Sequence, residues 1–176
     1  MFARELLLQP DESLTFARDA HGDEAYVRLD LESLLESVID GENDVVGGSV
    51  EFHGPVRLIV EAQTVVLRRA LTNLVQNAVQ YGGRARVAMS QEGDEVAVRI
   101  EDQGPGIAPE DRVRVLKPYV RLEGSRSRDT GGTGLGLAIA SNVIRRLEGS
   151  IAFGGGAGQF AVVVRLPAVR SGRTER

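Results

Sequence analysis

The apolar positions of the chain repeat with two different periods, and the helical period is clearest in the middle. From Thr64 to Tyr81 apolar residues recur every three or four positions, which predicts an amphipathic helix that the Gly82-Gly83 pair ends. The stripe consists of Val65, Leu67, Leu71, Leu74, Val75 and Ala78. The same period predicts another helix from Leu135 to Leu147.

Two further helices are predicted in the first third of the chain. Residues 2–20 have a helical pattern that Pro10 interrupts. Asp30 is a suitable N-cap for a helix that reaches about Asp40, with Gly41 as its stop.

Short runs with period two predict the strands. These runs are 26–29, 50–52, 56–60, 85–89, 96–100, 151–153 and 160–166. Polar residues 91–94 join two of them into a hairpin, and a glycine-rich hairpin closes the fold. Helices that alternate with hairpins predict an α/β two-layer sandwich.

Composition narrows the class of protein. A chain of 176 residues with 42% hydrophobic and 26% charged residues is typical of one globular domain. The absence of cysteine excludes disulfides and thiolate metal sites, and no apolar run approaches the roughly 18 residues that span a bilayer. A net charge of −4 argues against a general nucleic-acid binder. Twelve of the 21 glycines lie between Gly104 and Gly158, so bare backbone is needed there.

Three motifs could carry chemistry. Asn73 and Asn77 lie four apart, on one face of the central helix, and are either satisfied boundary residues or oxygen donors for a hard cation or phosphate. Asp102 follows a strand and precedes Gly104 and Gly106, as in a simple turn or in a loop that accepts a ligand amino group.

The third motif is the Gly-Gly-Thr-Gly-Leu-Gly-Leu run at residues 131–137, which leads into a helix. Its free N–H groups suit a phosphate, although no P-loop lysine follows the glycines. The segment before it predicts either a solvated basic surface or a mobile lid over a polyphosphate. Its basic residues are Arg112, Arg114, Lys117, Arg121, Arg126 and Arg128.

The order of these motifs resembles the catalytic, ATP-binding domain of sensor histidine kinases, of the superfamily that includes gyrase, Hsp90 and MutL. The resemblance covers about residues 26–167, and its motifs are similar to those of EnvZ- and RstB-type sensors. Its N, G1, F and G2 boxes correspond to residues 71–82, 102–107, 116–126 and 132–137. It implies a Bergerat fold: a mixed, mostly antiparallel sheet on three helices, with a mobile ATP lid.

The same resemblance implies an organisation along the chain. Residues 1–22 would be a remnant of a dimerisation helix and linker, residues 23–168 the ATP-binding domain, and residues 169–176 a flexible tail. Leu14 to Arg18 are similar to the end of the second dimerisation helix.

The resemblance also implies roles for individual residues around ATP and Mg²⁺. Asn77, with Asn73, would coordinate the Mg²⁺ bound to the triphosphate. Asp102 would accept the adenine amine, with Tyr81 and Ile107 packed on the base. Gly104 and Gly106 would make room for that base.

Other residues would contact the phosphates and the rim of the site. The backbone of the G2 box would hold phosphates, through Gly132, Thr133, Gly134, Leu135, Gly136 and Leu137. Arg121 and Arg126 would neutralise charge on the γ-phosphoryl group. Lys117 and Tyr119 would be further contacts, and Gln80 stands where many members have a lysine or arginine.

The amide at Asn73 bears on the reaction type. Hydrolytic relatives have a glutamate there that activates water, and an amide is not a usable general base. The resemblance therefore implies slow hydrolysis and transfer to a histidine. His21 and His53 do not match the acceptor element, His-[Glu/Asp]-x-Arg-x-Pro.

The implied partners follow from that reaction. They are a histidine-bearing dimerisation domain of the same kinase and a response regulator, without direct nucleic-acid contact. The implied location is cytoplasmic, with membrane attachment only through segments upstream. The alternatives are a degenerate module that binds nucleotide without transfer, an anti-sigma-type serine kinase, and a structural domain without nucleotide.

Overall fold

The computed structural model describes residues 24–46, 49–55, 57–120, 122, 134–156 and 158–169. The helix predicted over 2–20, the C-terminal tail and most of the predicted lid lie outside these residues. The helices are α1 (Leu31–Val46), α2 (Thr64–Gly82) and α3 (Gly136–Arg146). The strands are β1 (Val27–Asp30), β2 (Val50–His53), β3 (Ile59–Ala62), β4 (Ala85–Glu92), β5 (Glu95–Asp102), β6 (Ser150–Gly156) and β7 (Gln159–Pro167).

Five strands form one sheet in the order β2-β4-β5-β7-β6, and β1 pairs with β3 in a separate ribbon. Only the β2–β4 pair of the large sheet is parallel. Apolar residues of all three helices and of the sheet form one core. Charged residues such as Arg86, Arg99 and Glu101 lie on the solvent side of the sheet. The structure thus confirms the predicted two-layer α/β class with a mixed, mostly antiparallel sheet.

Helix α1 begins as predicted but ends later. Asp30 caps it, since the Asp30 carboxylate accepts a hydrogen bond from the Glu32 N–H at 3.1 Å. The predicted stop at Gly41 is wrong, because the helix continues to Val46. The Asn43 side chain bonds both backbone groups of Val50, at 2.9 and 3.0 Å, and this tie offsets the roughly 1 kcal/mol that a helical glycine costs.

Helix α2 confirms its prediction with one error in the stripe. Val65 is 68% exposed, and Val66 and Ala70 belong to the buried face instead. The first turn is held from outside the helix, because the Glu24 carboxylate accepts the Val65 N–H at 2.9 Å and the Val66 N–H at 3.4 Å.

The two predicted hairpins are confirmed. Strands β4 and β5 pair from Ala85–Asp102 to Glu92–Glu95, and β6 pairs with β7 across the glycine-rich turn. The strand predicted over 56–60 begins instead at Ile59 and pairs with β1. In the described part of the chain, no helix is long and apolar enough to cross a membrane.

Candidate functional site

The C-terminal half of α2 faces the beginning of α3, and this contact brings two of the predicted motifs together. A Cβ atom built on Gly136 would lie 3.7 Å from the Asn73 Cβ and 3.7 Å from the Asn77 Nδ2. The two asparagines of the N box therefore border Gly136, the G2-box residue at which α3 begins.

The amide of Asn73 is unusual among the described polar groups. Its Nδ2 is buried and has no hydrogen-bond partner among the residues that the structure describes. A buried donor without a partner costs about 1–3 kcal/mol, which suits a group kept for a ligand. Because the amide can flip, the same side chain can instead present its oxygen to a cation.

These amides fit a magnesium ion bound to phosphates. Mg²⁺ prefers oxygen ligands and is commonly bound through few protein groups plus substrate phosphates. Within the described ranges, no three His, Cys, Asp or Glu side chains come together as a metal site. A cation between Asn73 and Asn77 would thus depend on amide, phosphate and water oxygens.

The start of α3 offers backbone N–H groups. Its N-cap, Leu135, makes no side-chain capping bond, and Gly134 before it has a φ of +73°. First-turn N–H groups carry partial positive charge and are suited to phosphate. The Leu135 side chain is 1% exposed and the partly buried Leu137 packs on the core, so the predicted role of both residues would depend on their backbone.

Asp102 lies at the other end of the site, as the last residue of β5. It is 8% exposed, and its Oδ1 accepts a hydrogen bond from the Gly104 N–H at 2.7 Å. Burial raises the pKa of this carboxyl, and the Gly104 hydrogen bond lowers it by less. A buried carboxylate at the end of a strand is a strong acceptor for a ligand donor.

Two glycines make the burial of Asp102 possible. A Cβ on Gly104 would lie 2.7 Å from Asp102 Oδ1 and 2.8 Å from the Tyr81 carbonyl oxygen. A Cβ on Gly82 would lie 2.6 Å from Asp102 Cβ. Gly82 was predicted as a helix terminator and as the end of the N box, but not as a contact of Asp102. The helix cap is Gly83, with φ +73°, whose N–H donates to the Val79 carbonyl. A helix end needs only one capping glycine, so the extra glycine of the Gly82-Gly83 pair is the sequence signal that could have indicated this close contact.

The remaining predicted contacts lie around these two ends. Gly106 has a φ of +71°, and Ile107 is half-buried against the core. Tyr81 is 44% exposed at the end of α2, next to the exposed Gln80. Among the residues that the structure describes, the Gln80 side chain forms no hydrogen bond with another predicted site residue.

The segment after Ile107 forms two short 3-10 turns, Pro109–Asp111 and Arg114–Leu116. Lys117 and Tyr119 follow and are exposed, and the Tyr119 N–H donates to the Gly134 carbonyl at 3.2 Å. Tyr119 is thereby placed beside the G2 box. The predicted Arg121, Arg126, Gly132 and Thr133 lie outside the described residues.

The contacts of Arg112 differ from those predicted for the basic residues of this segment. Instead of lying over a phosphate site, its guanidinium donates to the backbone carbonyls of Ile107, Phe153 and Gly155. No feature of the sequence distinguishes it from its basic neighbours.

Comparison with known families agrees with this geometry. The family described as "Histidine kinase-, DNA gyrase B-, and HSP90-like ATPase" matches residues 62–170, which is well over half of the chain and includes every site residue above. The chain belongs to this family. The resemblance inferred from the four boxes is therefore confirmed.

Individual relatives include a sensor protein. The sensor protein RstB of Escherichia coli K12 is 40% identical over 87 residues, which are 49% of this chain and 20% of RstB. The matched part of the chain thus spans about a fifth of that relative's length.

Solved structures give the same answer. The histidine kinase domain of the E. coli osmosensor EnvZ is 32% identical, with a TM-score of 0.60, over 85% of this chain and 94% of that one. Full-length ShkA in complex with AMPPNP is 28% identical, with a TM-score of 0.69, over 93% of this chain and 36% of that one.

Proposed function

We propose that this domain binds ATP with Mg²⁺ and transfers the γ-phosphoryl group to a histidine on the dimerisation domain of its kinase, for passage to a response regulator. The observation that carries the proposal is the arrangement along α2. The buried carboxylate of Asp102 lies at the C-terminal end of α2. Asn73 and Asn77 lie earlier on the same helix, where they face the N-terminus of α3. From Asn73 to Tyr81 the helix rises by about 12 Å, so the two ends suit the separate ends of a nucleotide.

The base would bind at Asp102. Gly104 already engages Oδ1, so a ligand would approach Oδ2, which can only accept a hydrogen bond when ionised. The exocyclic amine of adenine is a donor, whereas a carbonyl at that position would meet a like partial charge. Gly106 would leave room for the flat ring, and Tyr81 and the half-buried Ile107 would pack on it.

The phosphates would bind between α2 and the start of α3. Asn73 and Asn77 would hold Mg²⁺, which neutralises the charge of the triphosphate when it is bound. The backbone N–H groups of Gly136 and Leu137 would donate to phosphate oxygens. We place Lys117, Tyr119 and Gln80 at the rim, and Thr133 with Gly132 in the phosphate loop, by resemblance to the family.

The reaction would be transfer and not hydrolysis. An amide at Asn73 does not take a proton from water near neutral pH, so water is a poor acceptor in this site. An imidazole nitrogen of the partner would form a bond to the γ-phosphorus while the bond to the β-phosphate oxygen breaks and ADP leaves. Arg121 and Arg126 would stabilise the charge on the transferred group.

A trans-phosphorylation assay tests the proposal. The domain is mixed with γ-labelled ATP, Mg²⁺ and the dimerisation domain of its kinase as a separate protein, and the matched control replaces the acceptor histidine by alanine. We expect label that is stable to base, labile to acid, and absent from the control. ATP binding without label would favour a nucleotide-binding module, and acid-stable label on serine would favour a serine kinase.

A further inference from the structure

The glycine-rich tip of the β6–β7 hairpin lies against the loop that carries the base-binding residues. The Gly158 N–H donates to the Gly104 carbonyl at 2.9 Å. Gly104 is the residue whose own N–H holds Asp102 Oδ1. The hairpin tip and the proposed adenine contact are therefore two hydrogen bonds apart.

Arg112 makes a second connection between the same two segments. Its Nε donates to the Ile107 carbonyl at 3.2 Å, across the 3-10 turn at Pro109–Asp111. Its two terminal nitrogens donate to Phe153 and Gly155, at 3.2 and 3.1 Å. One guanidinium thus joins the end of the base-binding loop to strand β6.

The position of β6 at the edge of the sheet explains why its backbone carbonyls can accept hydrogen bonds from Arg112. β6 is the last of the described strands in the sheet, so no strand in the described part of the chain pairs with its outer side. The carbonyls of Phe153 and Gly155 both reach the Arg112 guanidinium, although Gly155 has a φ of +72° and departs from regular strand geometry. The planar guanidinium supplies donors in a fixed fork that spans both of these carbonyls and a third.

We propose that Arg112 is a positioning residue for nucleotide binding, which holds the Gly104–Ile107 loop against the β6–β7 hairpin in the shape that admits the base. This inference rests on the proposed function of the site. Arg112 does not touch the nucleotide in this account. It acts by keeping the loop ordered before the nucleotide binds. A loop that had to become ordered on binding would lower the affinity for the nucleotide.

Binding and amide exchange together test the proposal. In Arg112→Ala and Arg112→Lys we expect the Kd for ATP to rise about tenfold, equal to about 1.4 kcal/mol. Lysine keeps the charge and the aliphatic stem but cannot span three carbonyls, so it should not restore affinity. AMP should lose the same factor as ATP, because the loop borders the base and not the phosphates.

The matched control is Arg86→Ala. Arg86 is an exposed arginine on the open face of the sheet, and its Nε lies 3.7 Å from Glu51 Oε2. This substitution should leave the Kd unchanged. The second readout needs no nucleotide: in Arg112→Lys the Gly158 amide should exchange with solvent faster, while amides in α2 keep their protection. If the alanine variant does not fold, the lysine variant carries both measurements.

The outcomes separate this inference from the proposed function. A folded Arg112→Lys or Arg112→Ala variant with wild-type affinity and wild-type Gly158 exchange would overturn the role of Arg112 alone. Loss of ATP affinity without loss of AMP affinity would also overturn it, since that places Arg112 at the phosphates. A wild-type domain that binds neither nucleotide would overturn the proposed function, and faster Gly158 exchange would then still support the structural tie.

Discussion

Asp102→Asn is expected to change nucleotide affinity and stability in opposite directions. The substitution removes the charge and keeps the shape of the side chain. The Gly104 N–H lies 2.7 Å from Oδ1 and needs an acceptor, so the asparagine oxygen should stay there. The new NH₂ group would then take the place of Oδ2 and, in the proposed complex, would face the adenine amine, which is also a donor.

The magnitude follows from the bond that is lost. A hydrogen bond to a charged group contributes about 1.5–3 kcal/mol, so ATP affinity should fall about tenfold to a hundredfold. Inosine triphosphate has a carbonyl where ATP has the amine, and that carbonyl can accept from the new NH₂ group. We therefore expect the preference for ATP over inosine triphosphate to shrink or reverse in the variant.

Stability should respond to the buried charge. Burial raises the pKa of Asp102 in the folded state, so the folded protein binds this proton more tightly than the unfolded chain. The contribution of Asp102 to stability is greatest below its unfolded pKa and is lost as pH rises through the folded pKa. Asparagine does not titrate, so Asp102→Asn should be at least as stable as wild type at neutral pH, and the gap should narrow towards about pH 4.

Calorimetric titration with both nucleotides and thermal unfolding at the two pH values measure these effects. ATP affinity within about threefold of wild type, with an unchanged preference between the two bases, would refute the reasoning. A variant that is less stable than wild type at neutral pH would show that the charge is not penalised by burial.

Two further substitutions separate ligand contacts from fold contacts. Gly136→Ala adds a methyl that meets Asn73 and Asn77 only at ordinary contact distance, so the fold should be kept, with a gain of up to about 1 kcal/mol in helix propensity. ATP affinity should fall, because the methyl stands in the proposed phosphate site. Unchanged ATP affinity by calorimetry would show that Gly136 is not part of that site. Glu24→Ala removes the acceptors of two N–H groups at the start of α2 and should lower the free energy of unfolding by about 1 kcal/mol, seen as a lower Tm with unchanged ATP affinity. The control, Glu36→Ala at an exposed position, should change stability by less than about 0.5 kcal/mol. Equal Tm values for the two variants would contradict the role of Glu24 as a cap.

Local patterns predicted the central elements well. Helix α2 was predicted to within one residue at its C-terminal end, because seven buried residues repeat with the helical period. The prediction that Val65 is buried was wrong, because the buried face begins one residue later, where the Glu24 carboxylate fixes the first turn. That bond joins residues about 40 positions apart and has no local pattern.

Distant contacts explain the other differences. Gly41 suggested a helix end, but Asn43 and Glu42 bond residues outside α1, at Val50 and Gln76, and these bonds outweigh the weak preference of one glycine. The parallel pairing of β2 with β4 likewise depends on the crossover through α2, which alternation alone does not specify.

The candidate site was predictable as motifs but not as a packed arrangement. Asp102 and Gly104 stand out because a carboxylate beside glycines is a recognisable pattern. The close approach of Gly82 and the three carbonyl contacts of Arg112 became visible only when the loop, helix and hairpin were brought together.

Nuclear magnetic resonance titration of the labelled domain with Mg²⁺ and AMPPNP tests the central claim most directly. The account predicts saturable shifts of the Asn73 and Asn77 side-chain amides and of the Gly104 and Gly136 backbone amides, while the β1 amides stay unchanged. Binding that leaves these four groups unperturbed, or no binding at millimolar nucleotide, would contradict it.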